Sequence, residues 1–333
     1  MNIFSLSIKN QPFNGVTNNT HEHKLERAAG YYCKRFSHYY VYTMKKLICI
    51  PICLILIFGC GPGFVYPHLD WMIPWYVDDY ISLNSDQSSM LKTRLMHQLD
   101  WHCQTQLSAY AVYLREIAAD FENSQKPVTV PILESHIAKL LEHWKNLMRQ
   151  IAPDVSDILI TATDEQIEEL FSNLEKENSE LKSEYLDPSD GELLKNRQNK
   201  MIKRLEYWIS SLTAKQAQAV KDWSIQLQPI SEAWLQNRER YQADLQRLLS
   251  RRIDKADFRE KLSEMLIYPE RSRPPAYQKK LDHNTAVTLN FIVSVNRLLT
   301  PEQHKNLLQR LNDLAEDFER LSCEPEERAA AVN

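Results

Sequence analysis

After Gly63 a single glycine, Gly191, remains in the 333-residue chain. Glycine is the residue a backbone uses where φ must be positive or where the main chain must approach a ligand closely. Phosphate loops, dinucleotide fingerprints, nucleophile elbows and two-residue hairpin turns all depend on it. None of these can be built here, and with them go the nucleotide-binding and α/β-hydrolase classes and any sheet made of tight hairpins. What remains is an all-α fold.

The apolar periodicity says the same. Leu91, Leu95, Leu99, Cys103, Leu107, Tyr110, Leu114, Ile117 and Phe121 fall on one face of a long first helix, at the three- and four-residue spacing of a helical stripe. Further stripes run through Leu133–Ile151, Ile167–Tyr185, Met201–Trp208, Val220–Leu248, Phe258–Leu266, Leu281–Val295 and Leu307–Leu321. Pro127, Pro131, Pro153, Pro188, Pro269, Pro274 and Pro301 punctuate them, and Pro229 should kink or break the run it sits in. No stretch alternates with period two. An antiparallel multi-helix bundle of eight or nine helices, with no sheet, is the predicted architecture.

Four helices open with one phrase: Leu83-Asn84-Ser85-Asp86-Gln87, Ala162-Thr163-Asp164-Glu165-Gln166, Leu212-Thr213-Ala214-Lys215-Gln216 and Leu299-Thr300-Pro301-Glu302-Gln303. Each reads as a capping box, in which the Thr or Asn oxygen accepts from the N3 amide and the N3 Gln reaches back to the cap's amide. Their irregular spacing excludes a solenoid repeat.

The N-terminal region carries a different signal. Met44-Lys45-Lys46 is a short basic segment, Leu47 to Phe58 is apolar apart from Pro51, and Gly59 precedes Cys60. That is the order of a secretory signal peptide, and a cysteine at the cleavage point resembles the lipobox of bacterial lipoproteins. A membrane span needs about 20 apolar residues, which this run lacks; a buried core helix would leave Met-Lys-Lys and Gly-Cys unexplained. The expectation is that Cys60 is acylated, with palmitate among its chains, and that the mature chain starts there. Gly61 after the cysteine, by analogy with lipoprotein sorting, points to the outer membrane facing the periplasm. The chain divides accordingly into a non-native extension at 1–43, a signal peptide at 44–59, a lipidated tether and aromatic segment at 60–82, a helical domain at 83–323 and a disordered tail at 324–333. A genuine cytoplasmic extension is the alternative for 1–43.

Residues 1–59 hold seven basic and two acidic side chains, so the rest of the chain is more acidic than the whole, at −9 against −4. Such a domain has no electrostatic footprint for a phosphate backbone, and nucleic acid is not an expected partner.

Two resemblances extend this reading. The Leu-Thr-x-x-Gln phrase resembles that of Spy-like periplasmic chaperones, which implies a client-cradling helical surface. Over nearly the whole mature chain, Leu69 to Tyr80, Leu99-Asp100-Trp101-His102, Glu206-Tyr207-Trp208, Trp223, and Trp234 with Arg238 resemble an uncharacterised family of bacterial helical lipoproteins. Trp101-His102-Cys103 stands where that family tends to Trp-His-Arg, and Leu107-Ser108-Ala109-Tyr110 where it tends to Leu-Pro-x-Tyr. The resemblance implies lipidation and supplies no mechanism.

Within the tether, Trp71, Trp75, Tyr76 and Tyr80 interleave with Asp70, Asp78 and Asp79. Either this segment is a lid closing one end of the bundle, its donors bonded to carboxylates, or, with Trp101 and His102, it is a binding surface for a partner, a client or the lipid interface. An Asp78/Asp79 acid–base pair is disfavoured, because adjacency in sequence does not set a carboxylate separation. His97, His102, His136 and His143 lack metal-ligand spacing, and neither a metal nor a cofactor is expected. Arg238, on a mostly apolar stripe, reads as a snorkelling side chain. Cys103 and Cys323 are the thiols left in the mature chain; periodicity alone does not bring their Cα atoms within bonding reach, so two free thiols are expected.

The reading is of a membrane-anchored, non-enzymatic periplasmic binding or chaperone-like protein, held to the membrane by its lipid and engaging a protein partner. The alternative is a hydrolase whose site is assembled from scattered helical residues.

Overall fold

The computed structural model describes residues 62–123 and 126–323. The signal peptide, Cys60, the 1–43 extension and the 324–333 tail expected from the sequence lie outside them. The described residues form no strand, and the protein is all-α.

A single helical turn, Pro62–Val65, and a 3-10 turn, Tyr66–His68, lead into α1, Leu69–Asp78. There follow α2 (Ser85–Thr105), α3 (Leu107–Glu122), α4 (Val130–Ile160), α5 (Asp164–Leu186), α6 (Asp190–Ile209), α7 (Ala214–Gln226), α8 (Ser231–Leu249), α9 (Lys255–Ile267), α10 (Pro275–Arg297) and α11 (Pro301–Leu321). Among the described residues eleven helices replace the expected eight or nine. One of the extra elements is α1, where the aromatic segment is itself helical. The other comes from a division of the expected long first helix at Gln106. There the Cys103 carbonyl accepts from the Cys323 amide at 3.1 Å, a bond to the segment just after α11 rather than within the helix's own ladder.

Pro229 acts as expected: α7 stops at Gln226 and α8 starts at Ser231. The polar backbone of the break is covered by α10, with Asn284 Oδ1 accepting from the Gln228 amide and Asn284 Nδ2 donating to its carbonyl, at 2.8 and 3.1 Å. Pro153 behaves differently and lies inside the 31-residue α4. The turn after it is held from outside, by Arg94 on α2 against Asp154 and Asp157 and by Arg259 on α9 against Asp157. These external partners offset the ladder bond that proline removes.

Apart from α2 and α3, which follow one another across Gln106, the main helix pairs run antiparallel. The largest pairing joins α3 to α11, burying Leu107, Tyr110, Ala111, Leu114, Leu311, Leu314, Ala315 and Phe318 in one cluster. α4 lies along α9, α5 along α8 and α7 along α10. The entering turn, Pro62–Val65, packs on α11, so the entering chain meets the bundle at the end where Cys103 and Cys323 sit. Those two residues form a disulfide, with Cα atoms 5.2 Å apart, and the expectation of two free thiols is wrong. The close antiparallel packing of α3 and α11 carries the end of α2 to the end of α11, which no periodicity in either helix could reveal. Thiol counting on the denatured, unreduced protein should find neither cysteine reactive. Cys323→Ser should lower stability by roughly 2–5 kcal/mol, read as a shift in the urea midpoint.

All four phrase-bearing helices carry the reciprocal capping box; Ser189 and Glu192 make a fifth. Capping is only half of what the four glutamines do. Gln87 and Gln166 bond each other through both amide ends at 3.0 and 2.7 Å, and Gln216 and Gln303 do the same at 2.7 and 3.0 Å. Each also donates to a carbonyl in the loop ahead of its partner's helix: Gln87 to Thr161, Gln166 to Ser82, Gln216 to Leu298 and Gln303 to Ser211. The helix starts are thus locked two by two, α2 with α5 and α7 with α11. Gln216 is fully buried and Gln303 nearly so, so truncating either strands its partner's amide. Gln216→Ala and Gln303→Ala should each cost about 1–3 kcal/mol. A double-mutant cycle by chemical denaturation should return a coupling above about 0.5 kcal/mol; additivity would contradict the lock.

Candidate functional site

α1 lies antiparallel along α2, with Tyr66 at the disulfide end and Val77 and Ile81 in the cluster around Phe258 and Leu249 at the other. Its helical period sorts the predicted site residues onto different faces. Trp71, Trp75 and Asp78 point outward. Ile73, Val77 and Tyr80 point toward the bundle, and Tyr76 lies on the flank. The residues anticipated as one surface therefore divide into three places.

The first is the entry end. Tyr66 stacks on His102 with ring centroids 5.6 Å apart, and its hydroxyl meets His102 Nδ1 at 3.0 Å. Tyr110 closes on the same imidazole edge-on at 5.5 Å. Burial among these rings pushes the His102 pKa down to about 4, so the side chain is a neutral hydrogen-bonding partner at neutral pH. Trp101 is half-buried beside it.

The second is a buried polar network under the far end of α1. The Tyr80 hydroxyl donates to Glu177 Oε1 at 3.1 Å and meets the Tyr76 hydroxyl at 3.2 Å. Arg238 Nη2 pairs with Glu177 Oε2, and its Nε donates to Asn178 Oδ1 at 2.7 Å. Asn178 Nδ2 continues the chain to Gln242 at 2.6 Å, while Asn173 Nδ2 holds the Tyr80 carbonyl at 3.1 Å. Burial, with Tyr76 adding to it, raises the Tyr80 phenol well above its ordinary value. Arg238 is thus no snorkelling side chain; its side chain is 15% exposed and paired to a carboxylate. The sequence did carry a signal for this. Glu177 and Asn178 interrupt the α5 stripe between Leu174 and Leu181, and Arg238 and Gln242 interrupt the α8 stripe between Trp234 and Leu245. Two polar interruptions on facing helices are complementary only once the helices are known to pack.

The third place is the outward face. Phe64 is 54% exposed, Trp71 41%, Trp75 39% and Tyr76 49%. Asp78 and Asp79 are exposed as well. Among the described residues no three His, Cys, Asp or Glu are grouped to hold a metal. His136 and His143 instead flank Tyr113, at ring distances of 5.7 and 5.5 Å.

A shallow cleft of about 470 Å³ opens between α8 and α9. Most of its charges pair within it: Arg247 with Asp244, Lys261 with Asp257 and Arg271 with Glu264. The Arg271 guanidinium also lies 4.0 Å from the Tyr268 ring centre.

Fold and site together define an all-helical bundle that presents aromatic side chains beside its N-terminal entry and joins its helices by buried polar locks. The chain belongs to a family of unknown function (DUF6279), whose model matches residues 79–278. No curated protein and no solved structure matches it. The matched segment takes in Tyr80, Glu177, Asn178, Arg238 and Gln242, and stops short of Trp71, Trp75 and Cys323.

Breaking the buried pair tests its part in holding α1 down. Arg238→Met should destabilise the protein by about 3–5 kcal/mol, because it leaves Glu177 buried without its cation. Arg238→Met/Glu177→Leu should recover much of that loss in urea unfolding; a double variant as unstable as the single would contradict the account.

Proposed function

We propose that this protein is a membrane-tethered, non-enzymatic binding protein of the cell envelope, anchored through lipid on Cys60 and facing the periplasm. The observation that carries the reading is the order Met44-Lys45-Lys46, apolar run, Gly59-Cys60, with the exposed aromatics Phe64, Trp71 and Trp75 directly behind it. Large apolar rings left in water next to an anchor are a marker of an interaction surface. Three further features support it. No helix among the described residues is long and apolar enough to cross a membrane. The disulfide between Cys103 and Cys323 suits an oxidising compartment. The interlocked Leu-Thr-x-x-Gln boxes keep the Spy-like comparison open as a second strand of support for client binding.

The test is metabolic labelling with a palmitate analogue. The wild-type protein should take label and fractionate with membranes, and Cys60→Ala should lose both properties. Label that persists in Cys60→Ala would overturn the anchor.

A further inference from the structure

Phe64, His68 and Trp71 form a continuous chain of rings, with centroids 5.5 Å apart from Phe64 to His68 and 6.0 Å from His68 to Trp71. Trp75 extends it by one helical turn. This stripe lies on the solvent side of α1 and of the turns before it, while the opposite side of α1 is committed to the bundle through Val77, Ile81 and Tyr80. We propose that the stripe lies in the headgroup region of a zwitterionic phospholipid surface, so that α1 is laid flat on the membrane that holds the Cys60 lipid.

The length of chain ahead of the stripe decides between occupants. Phe64 lies four positions after Cys60, and even a fully extended chain reaches only about 3.3–3.6 Å per residue, or about 14 Å. With the acyl chains of Cys60 inserted, Phe64 cannot leave the neighbourhood of the bilayer surface. Trp71 and Trp75 follow within about 1.5 Å of helix per residue. Tethering at that range turns a weak surface contact into an intramolecular one of high effective concentration, which neither a protein client nor a second copy of the chain enjoys. The ring types fit as well, since tryptophan is enriched where an apolar body meets a wet boundary.

Charge selects the kind of surface. Asp70, Asp78 and Asp79 are exposed along the same segment, and the chain from residue 60 onward is net acidic. An anionic bilayer would repel it, so contact rests on the rings and is only weakly sensitive to salt. The inference depends on the lipid-anchor reading above and adds the partner of the aromatic face.

The experiment uses the full lipidated protein, reconstituted in phosphatidylcholine vesicles whose acyl chains are brominated either near the headgroup or deep in the bilayer. Tryptophan emission should be quenched more by shallow bromine than by deep. Trp71→Ala/Trp75→Ala should lose most of the quenchable emission, leaving that of Trp101, Trp144, Trp208, Trp223 and Trp234. Phe64→Ser keeps both reporters and should weaken their quenching, while circular dichroism shows the fold retained. Wild-type protein that floats with the vesicles yet is not quenched would overturn the proposal and leave the anchor standing. So would quenching that survives the double variant, or a blue shift that grows with protein concentration and not with lipid, which would mark self-association. Failure to float at all would overturn the anchor, and the proposal with it.

Discussion

Every helix leaves amide donors unsatisfied at its start, and the eleven helices of the described residues meet that demand eleven times. Here the demand is also used to place helices. Gln87 and Gln166, and likewise Gln216 and Gln303, cap their own helices through Oε1 and bond each other and the opposite loop through Nε2. A glutamine amide can satisfy its own N-terminus in any helix. It can satisfy a second loop only when two helix starts abut at one register. The pairing α2 with α5 and α7 with α11 follows, and antiparallel neighbours are carried along by it.

The buried charges belong to the same logic. Glu177 and Arg238 sit where apolar side chains would pack at least as well, and desolvating such a pair recovers little net stability. What it supplies is geometry: the Glu177 carboxylate has one oxygen for Arg238 and one for Tyr80, so the far end of α1 is held at a single place on α5. The near end is held by the Tyr66–His102 stack, beside the disulfide that joins α2 to α11. A ten-residue helix with no fully buried side chain is thereby fixed at both ends, its outer face left to solvent. Fixing the helix in this way orients Trp71 and Trp75 relative to the entering chain, which a flexible leader would not do.

Membership in DUF6279 covers the middle of the chain and none of its specialised ends. The buried network lies inside the matched segment. The outward aromatics precede it, and the disulfide depends on Cys323 beyond it. Cys103 stands where the resemblance seen in the sequence tends to arginine, and the bridge it makes closes a sequence separation of 220 residues.

The near absence of glycine and the three-and-four spacing of leucines determined an all-helical chain. The Thr/Asn-x-x-Gln phrases determined where four of its helices begin, because capping is a contact between residues three apart. Pro229 determined a break for the same reason. Local rules could not see that Pro153 would be tolerated, since its helix is held by Arg94 and Arg259 from other elements, nor that Arg238 would meet Glu177 across 61 residues. They could not decide between free and bridged Cys103, or sort Trp71 from Tyr80 into solvent and interior. Each of those outcomes depends on which helix packs against which, a property of the whole buried surface that no window along the chain contains.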